Sequence, residues 1–445
     1  MIGVWALLVY LIVIVLWVTV FRRNVGEAMM IGFVIAVLFN GSAMISNGWT
    51  ALYDALTDEI VYATILFVLM GYLLERVGVM ERMINLLDSV LGGLKGGPAY
   101  VATVASAGLG SIVHNQAAIA ATVGSVTIPW MDRAKLSRTT SATIVAGNAG
   151  MGITFPFSAS MFVLVGSTTA GVDLSTNELI VPLIFGGLWC VLHRLIVTAI
   201  QVYRSGAEAT PKELRPVFRR AFAEGWATLL LFAAVAVPIL VTTGPLASFF
   251  TERLGSPVED SVSLIFWIPV VLILAGLALG RARLPRTLAS WNEFMQSSLP
   301  RFGIVGITVL FAFAGANALA STGLPTQLSG LLSELHVPVW LLALMIGVIV
   351  IAVAAPLSST ATMAAVGTVS VAALVSAGVP APTAAVAVLI FSSCEAAVPP
   401  GGAPLYVACG IAGINPLKTF PKMIGYYAVP LTGVGVLVAS GVLPV

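Results

Sequence analysis

The chain has 445 residues, 59% of them hydrophobic and only 9% charged, with a net charge of +2 and a mean hydropathy of +1.03. Soluble domains carry about 25% charged residues, so this composition excludes a water-soluble fold and points to an all-α polytopic membrane protein, and the small net charge gives no ground for nucleic-acid binding. Cys190, Cys394 and Cys409 lie in apolar segments without metal-ligand spacing, which indicates neither a disulfide framework nor a zinc site.

Apolar windows of roughly 17 to 25 residues, long enough to span the hydrocarbon layer as helix, recur from end to end, and the alternating short strands of a barrel are absent. Residues 4–20 have no basic residue before them and Arg22-Arg23 after them, the reverse of a signal peptide, so they read as an uncleaved first helix. The positive-inside rule then puts Arg22-Arg23 in the cytoplasm and the N-terminus outside. A second helix, 28–39, leads outward to an acidic segment with Asp54, Asp58 and Glu59, and a third, 60–74, returns to a cytoplasmic amphipathic arm ending at Gly92–Pro98.

Residues 99–131 are apolar but flanked on both sides by basic residues, Lys95 before them and Arg133, Lys135 and Arg138 after them. They read as a re-entrant hairpin with its turn near Gly108–Gln116. Residues 139–170 cross outward, broken around Asn148–Ser160, and helix 179–203 returns to the charged loop Arg204–Arg220. His193 and Arg194 are read as interfacial residues near the cytoplasmic end of that helix.

Beyond the loop the plan runs upside down. Helices 221–242, 261–280 and 303–322 lead to an outer arm, 323–338, without Lys or Arg. A second hairpin, 339–379, enters from outside with its turn near Pro356–Thr362, and the segment 383–412, broken around Ser392–Pro404, crosses inward. The last helix, 424–442, leaves the C-terminus outside. The expected organisation is therefore a first repeat, 1–203 (scaffold helices 1–95, hairpin and broken helix 99–170), a cytoplasmic connection, 204–220, and a second repeat, 221–445 (scaffold helices 221–338, hairpin and broken helix 339–412, final helix).

The repeat is visible in the residues. Ile65–Gly71 matches Val309–Gly315 at an offset of 244 (315 − 71), Ala120–Thr127 matches Met363–Ser370 at 243 (367 − 124), and Pro156 matches Pro400 at 244 (400 − 156). With opposite loop charges, this is an inverted-topology repeat, a construction used by secondary transporters whose sites lie at broken helices near the bilayer midplane.

Phe67–Ile84, Gly124–Pro129 and especially Glu395 through Pro399-Pro400-Gly401 to Gly413 resemble the large membrane (DctM-like) subunit of TRAP transporters, and the resemblance covers nearly the whole chain. It implies an ion-transporter fold working as an elevator. It also implies a small organic anion, commonly a carboxylate, carried with sodium in the bacterial inner membrane, aided by a small membrane subunit and an extracytoplasmic binding protein. Two positions depart from the family pattern: the usual Ser-Gly-Ser of the first hairpin corresponds to Val113-His114-Asn115, and the usual double proline of the first broken helix to Phe155-Pro156.

Sodium needs hard oxygen ligands, which broken-helix carbonyls facing a hairpin turn supply. One candidate set is Gly110, Ser111, Asn115, Asn148 and Gly152; its repeat mate is Ser358, Ser359, Thr360, Ser393 and Glu395. Candidate substrate contacts are His114, Asn115, Ser158, Ser359, Thr362, Gly401 and Gly402, with membrane lipid around the protein and no cofactor beyond the coupling ions. For each Ser, Thr or Asn the alternative is helix packing or back-bonding to a carbonyl. An ionised carboxylate at the bilayer centre costs at least about 2.5 kcal/mol, so Glu395 is either an ion- or proton-coupling group or a structural acid held by hydrogen bonds. His114 is either a substrate or proton contact or a satisfied donor at the turn. The competing readings are a proton-coupled or stand-alone carrier of the same fold, and a channel or structural membrane partner; no metal cluster or nucleophile with a base favours an enzyme.

Overall fold

The computed structural model describes residues 2–166, 174–211, 215–242, 244–254, 264–324, 326–327, 337–355, 357–398 and 402–445. They are helical almost throughout. Among them, six helices, or seven if a bent pair counts as one, are long and apolar enough to cross a membrane.

Two helices form the centre: Arg138–Ala149 is buried from Thr140 onward, and Ala381–Ser392 from Ala384 onward. Apolar or small residues cover them on every side, the pattern of a helix surrounded by protein. Outer helices show the opposite arrangement. In Thr176–Ser205, Val181, Phe185, Leu188, Leu192 and Ile196 form one exposed apolar stripe at helical spacing, a face suited to lipid.

Each central helix is interrupted where its sequence breaks. The first ends at Ala149, tightens into a 3-10 turn over Gly150–Thr154 and resumes at Ala159–Gly166. The second ends at Ser392, makes a 3-10 turn at Glu395–Ala397 and resumes at Ala403–Ala412. Before each lies a helical hairpin. The first pairs Gly97–Val113 with Gln116–Arg133 through a two-residue turn: His114 stops one helix in the left-handed region at φ 53°, and the Asn115 side chain caps the next by accepting from Ala118 N at 3.0 Å. The second pairs Val339–Ala354 with a helix that starts at Ser359, capped by Ser358, and widens into a π turn at Met363–Gly367 before continuing as Thr368–Ser376. Pro356, within that turn, lies outside the described residues.

Two stretches are more helical than the sequence suggests, and the connection has a further part in the fold. The acidic segment before Glu59 is carried by the helix Met44–Thr57, whose Gly48, Ala51 and Ala55 are buried at helical spacing while its polar residues face out. The helix expected over 303–322 begins at Leu288, capped by Thr287, and runs 33 residues to Ala320. In both places polar residues on an exposed helix face interrupt the apolar pattern. The connection 204–220 also does more than join two halves: Gly96 N donates to Glu208 O and Glu208 N to Ala134 O, both at 3.0 Å, so the connection ties the two ends of the first hairpin together.

Candidate functional site

Both hairpin turns and both helix breaks converge on one cavity of about 310 Å³. His114, Asn115 and Gln116 line it from the first hairpin, Ser358, Ser359 and Thr360 from the second, Ile153, Ser158 and Ser160 from the first broken helix, and Glu395, Ala403 and Pro404 from the second. The helix Glu59–Arg76 closes it with Phe67, Gly71, Tyr72 and Glu75; Phe67 also packs edge-on against His114 at 6.4 Å and against Phe162 at 5.2 Å between ring centroids. Among the described lining residues the charged groups are Glu75 and Glu395, with no Lys or Arg.

Glu395 is the hub. Its Oε2 accepts from Ser359 N at 2.9 Å and from Gln116 Nε2 at 2.7 Å, and lies 2.9 Å from Ser359 Oγ. Ser359 Oγ also lies 3.0 Å from Ser392 O and accepts from Gln116 Nε2 at 2.9 Å, so its single proton goes to the carboxylate or to that carbonyl. Two nitrogen donors and a hydroxyl thus gather on one carboxyl oxygen and fix the Glu395 side chain in place. It also covers the start of the helix at Ser359, where the unpaired N–H groups favour a negative charge. Gly402 lies against it: a Cβ there would sit 2.7 Å from Glu395 Cγ and Oε1, so the carboxylate can take this position only beside glycine. Gly401 lies outside the described residues.

The first copy is built differently. Gly152, which stands 243 positions before Glu395 (395 − 152), lies on Gly110: a Cβ at Gly152 would meet Gly110 O at 2.3 Å. Backbone there contacts backbone where the second copy has a carboxylate and a hydroxyl. Ser111 Oγ donates to Gly108 O at 2.9 Å, Asn148 Nδ2 donates to Thr103 Oγ1 at 2.8 Å, and Asn148 Oδ1 is buried with no partner. His114 spans from its turn to the facing break, with Nε2 3.0 Å from Pro156 O and Nδ1 3.1 Å from Ile112 O. Ser158 caps the resumed helix by accepting from Met161 N at 3.1 Å. In the second hairpin Thr362 Oγ1 bonds back to Ser358 O at 2.9 Å, and Ser393 Oγ to Ile390 O at 2.7 Å.

Two residues at the centre carried no role in the sequence reading. Gln116 links the copies through Glu395 and Ser359, while its own Oε1 is buried without a partner. Arg194, expected at the interface, is fully buried: Nε donates to Gly147 O at 3.0 Å and Nη2 reaches Ser393 Oγ at 3.5 Å, and its helix runs on to Ser205. His193 beside it is half-buried against the Tyr427 ring. The apolar Leu195-Ile196-Val197 that follows was the available sign that Arg194 lies inside the membrane segment and not at its edge. Among the described residues, no three His, Cys, Asp or Glu gather as a metal cluster, and the three cysteines are free and buried.

A multi-pass helical protein whose central cavity is ringed by interrupted helices has the build of a membrane transporter. Comparison with known proteins gives the family. The model for the DctM component of tripartite ATP-independent periplasmic (TRAP) transporters matches residues 9–444, and the chain belongs to that family, a transport family and not one of enzymes. It is 28% identical over 192 residues to a Haemophilus influenzae protein described as a TRAP transporter large permease, covering 42% of this chain and 44% of that protein. It is 22% identical over 285 residues to the C4-dicarboxylate TRAP transporter large permease DctM of Pseudomonas aeruginosa, covering 64% and 62%. Among solved structures the Alcanivorax borkumensis YdaH transporter shares the fold with a TM-score of 0.63 at 16% identity, covering 90% of this chain and 89% of that one.

Proposed function

We propose that the chain imports a small organic anion, a carboxylate in the first instance, together with sodium, as the large membrane subunit of a TRAP system in the bacterial inner membrane. The observation that carries this reading is the charge balance of the cavity. Among the described residues two carboxylates and no Lys or Arg line it, so an entering anion must be met by helix N-termini and by a cation that enters with it. Helix starts at Gln116, Ser359, Ala159 and Ala403 supply the first; the oxygens of the two candidate sets supply ligands for the second.

Contacts between repeat mates support an inverted repeat. Gln116 bonds to Ser359 (359 − 116 = 243), and a Cβ on Gly150 would meet Ser393 O at 2.3 Å (393 − 150 = 243). Mates that touch each other lie on a local two-fold axis, which puts the cavity at the meeting point of the repeats. With both hairpins re-entrant and both termini outside, the hairpins and broken helices form the mobile body of an elevator, and the outer helices its scaffold. The tripartite family description supports a small membrane subunit and an extracytoplasmic binding protein as partners. Proton coupling is the second reading, because Glu395 and His114 face the same cavity.

A thermal-shift screen of carboxylates, sulfonates and amino acids on the purified chain tests the reading. A carboxylate that raises Tm only when sodium is present supports it; stabilisation that ignores sodium but follows pH favours the proton reading, and no stabilisation by any anion contradicts both.

A further inference from the structure

Arg194 is the largest fully buried side chain of the described residues, and its place in the fold is unusual. Its guanidinium lies between the carbonyl ends of the two broken helices, bonded to Gly147 O in the last turn of Arg138–Ala149 and reaching Ser393 Oγ just beyond the end of Ala381–Ser392. No carboxylate lies within ion-pair distance of it among the described residues. Its Nη1 has no hydrogen-bond partner, and neither has Asn148 Oδ1, one residue beyond Gly147 in the chain. A buried cation without a counter-ion is costly unless something else supplies negative potential. Here two helix C-termini do so, each worth roughly −0.5 charge, and together about enough for one monovalent cation.

That is the electrostatic environment in which broken-helix transporters hold a coupling ion. We propose that Arg194 is a resident cation, its guanidinium filling the place between the two helix ends that a sodium ion would otherwise take, so that this chain couples through one fewer ion than its two sets of helix ends allow. The proposal rests on the sodium reading and narrows it: the guanidinium takes the place between Gly147 O and Ser393 Oγ, while Ser359 and Glu395, with which it shares no hydrogen bond, remain for an external ion. The position has no counterpart in the second repeat, where the mate at an offset of 243 (437 − 194) is Leu437, a partly exposed apolar residue. The segment that carries the Gly147 carbonyl is closely packed. The Tyr427 ring lies on Gly147, where a Cβ would come within 2.3 Å of it, and Gln201 Nε2 donates to the Tyr427 hydroxyl at 3.4 Å.

The experiment measures Tm of the full purified chain and of Arg194→Gln and Arg194→Lys in choline, sodium and millimolar guanidinium buffers. In Arg194→Gln, Tm should fall in choline and recover with sodium or guanidinium, and the sodium titration of its stability should gain about one bound ion relative to wild type. Arg194→Lys keeps the charge and should retain the wild-type response. The proposal is overturned if Arg194→Gln is as stable as wild type in choline, or if neither cation rescues it. Should Arg194→Gln not fold at all, Arg194→Lys decides alone: a folded Lys variant with the wild-type sodium titration supports a resident charge, and one that also fails to fold overturns it. The wild-type response to sodium is a separate readout, so failure of the sodium reading and failure of this inference are distinguished.

Discussion

The two copies of the site use the same backbone plan with opposite chemistry. Each has a hairpin whose second helix is capped by its turn, Asn115 in the first and Ser358 in the second, and each has a central helix interrupted by a 3-10 turn. In the second copy the hairpin meets the break through Glu395 and Ser359; in the first, through Gly152 and Gly110 packed backbone on backbone. The buried cation is on the first copy and the buried acid on the second, and Gln116 joins them. A polar contact between hydrogen-bonding groups can be released into water at moderate cost, whereas two backbones packed without side chains lose their contact outright when separated. If the hairpins gate the cavity, as the proposed elevator requires, the comparison assigns the opening to the second hairpin and the docked role to the first, whose two ends are also bonded to the 204–220 connection.

The largest expected effect is at the glycine contact. Gly152→Ala puts a methyl group 2.3 Å from Gly110 O, backbone that cannot move aside, so folded protein and uptake should both be lost, while Gly433→Ala, which meets nothing within 4 Å, should behave as wild type. A fully active Gly152→Ala, assayed by uptake and size-exclusion profile, would break the distinction between a docked and an opening hairpin. Next comes Glu395→Gln. The neutral amide keeps the shape and should leave a folded protein that no longer accumulates substrate; concentrative uptake at the wild-type level would remove Glu395 from the coupling.

Gln116→Ala removes a hydrogen bond to a carboxylate, worth about 1.5–3 kcal/mol. It should therefore weaken sodium-dependent ligand affinity by roughly ten- to a hundredfold, read by ligand titration of Tm. An unchanged affinity would mean that the two copies bind independently. The smallest effect is at the caps: Asn115→Ala and Ser358→Ala each remove one N-cap, about 1 kcal/mol, and should lower Tm by similar small amounts. A much larger loss at one of them would show that the two turns are not equivalent.

The helix breaks and Glu395 were legible in the sequence because prolines, glycines and an acid stand out against apolar segments, and the breaks fall where those residues are: Ala149 to Ala159 and Ser392 to Ala403. Gln116 was not legible as a link, since an amide beside Asn115 looks like any turn residue and its partners lie 243 and 279 positions away. Arg194 was misread because a basic residue late in an apolar helix resembles an interfacial one, whereas its guanidinium is buried and bonded to the Gly147 carbonyl of another segment. Local composition marks where a helix must break; it does not say which distant group will fill the gap.

The most direct test of sodium-coupled import is uptake into proteoliposomes containing the chain and its small membrane subunit, with the ligand-loaded binding protein outside and pH held equal on both sides. An inward sodium gradient should drive saturable accumulation that collapses when sodium is equalised across the membrane. Accumulation that persists without a sodium gradient and follows an imposed proton gradient, or a flux that never saturates, would contradict it.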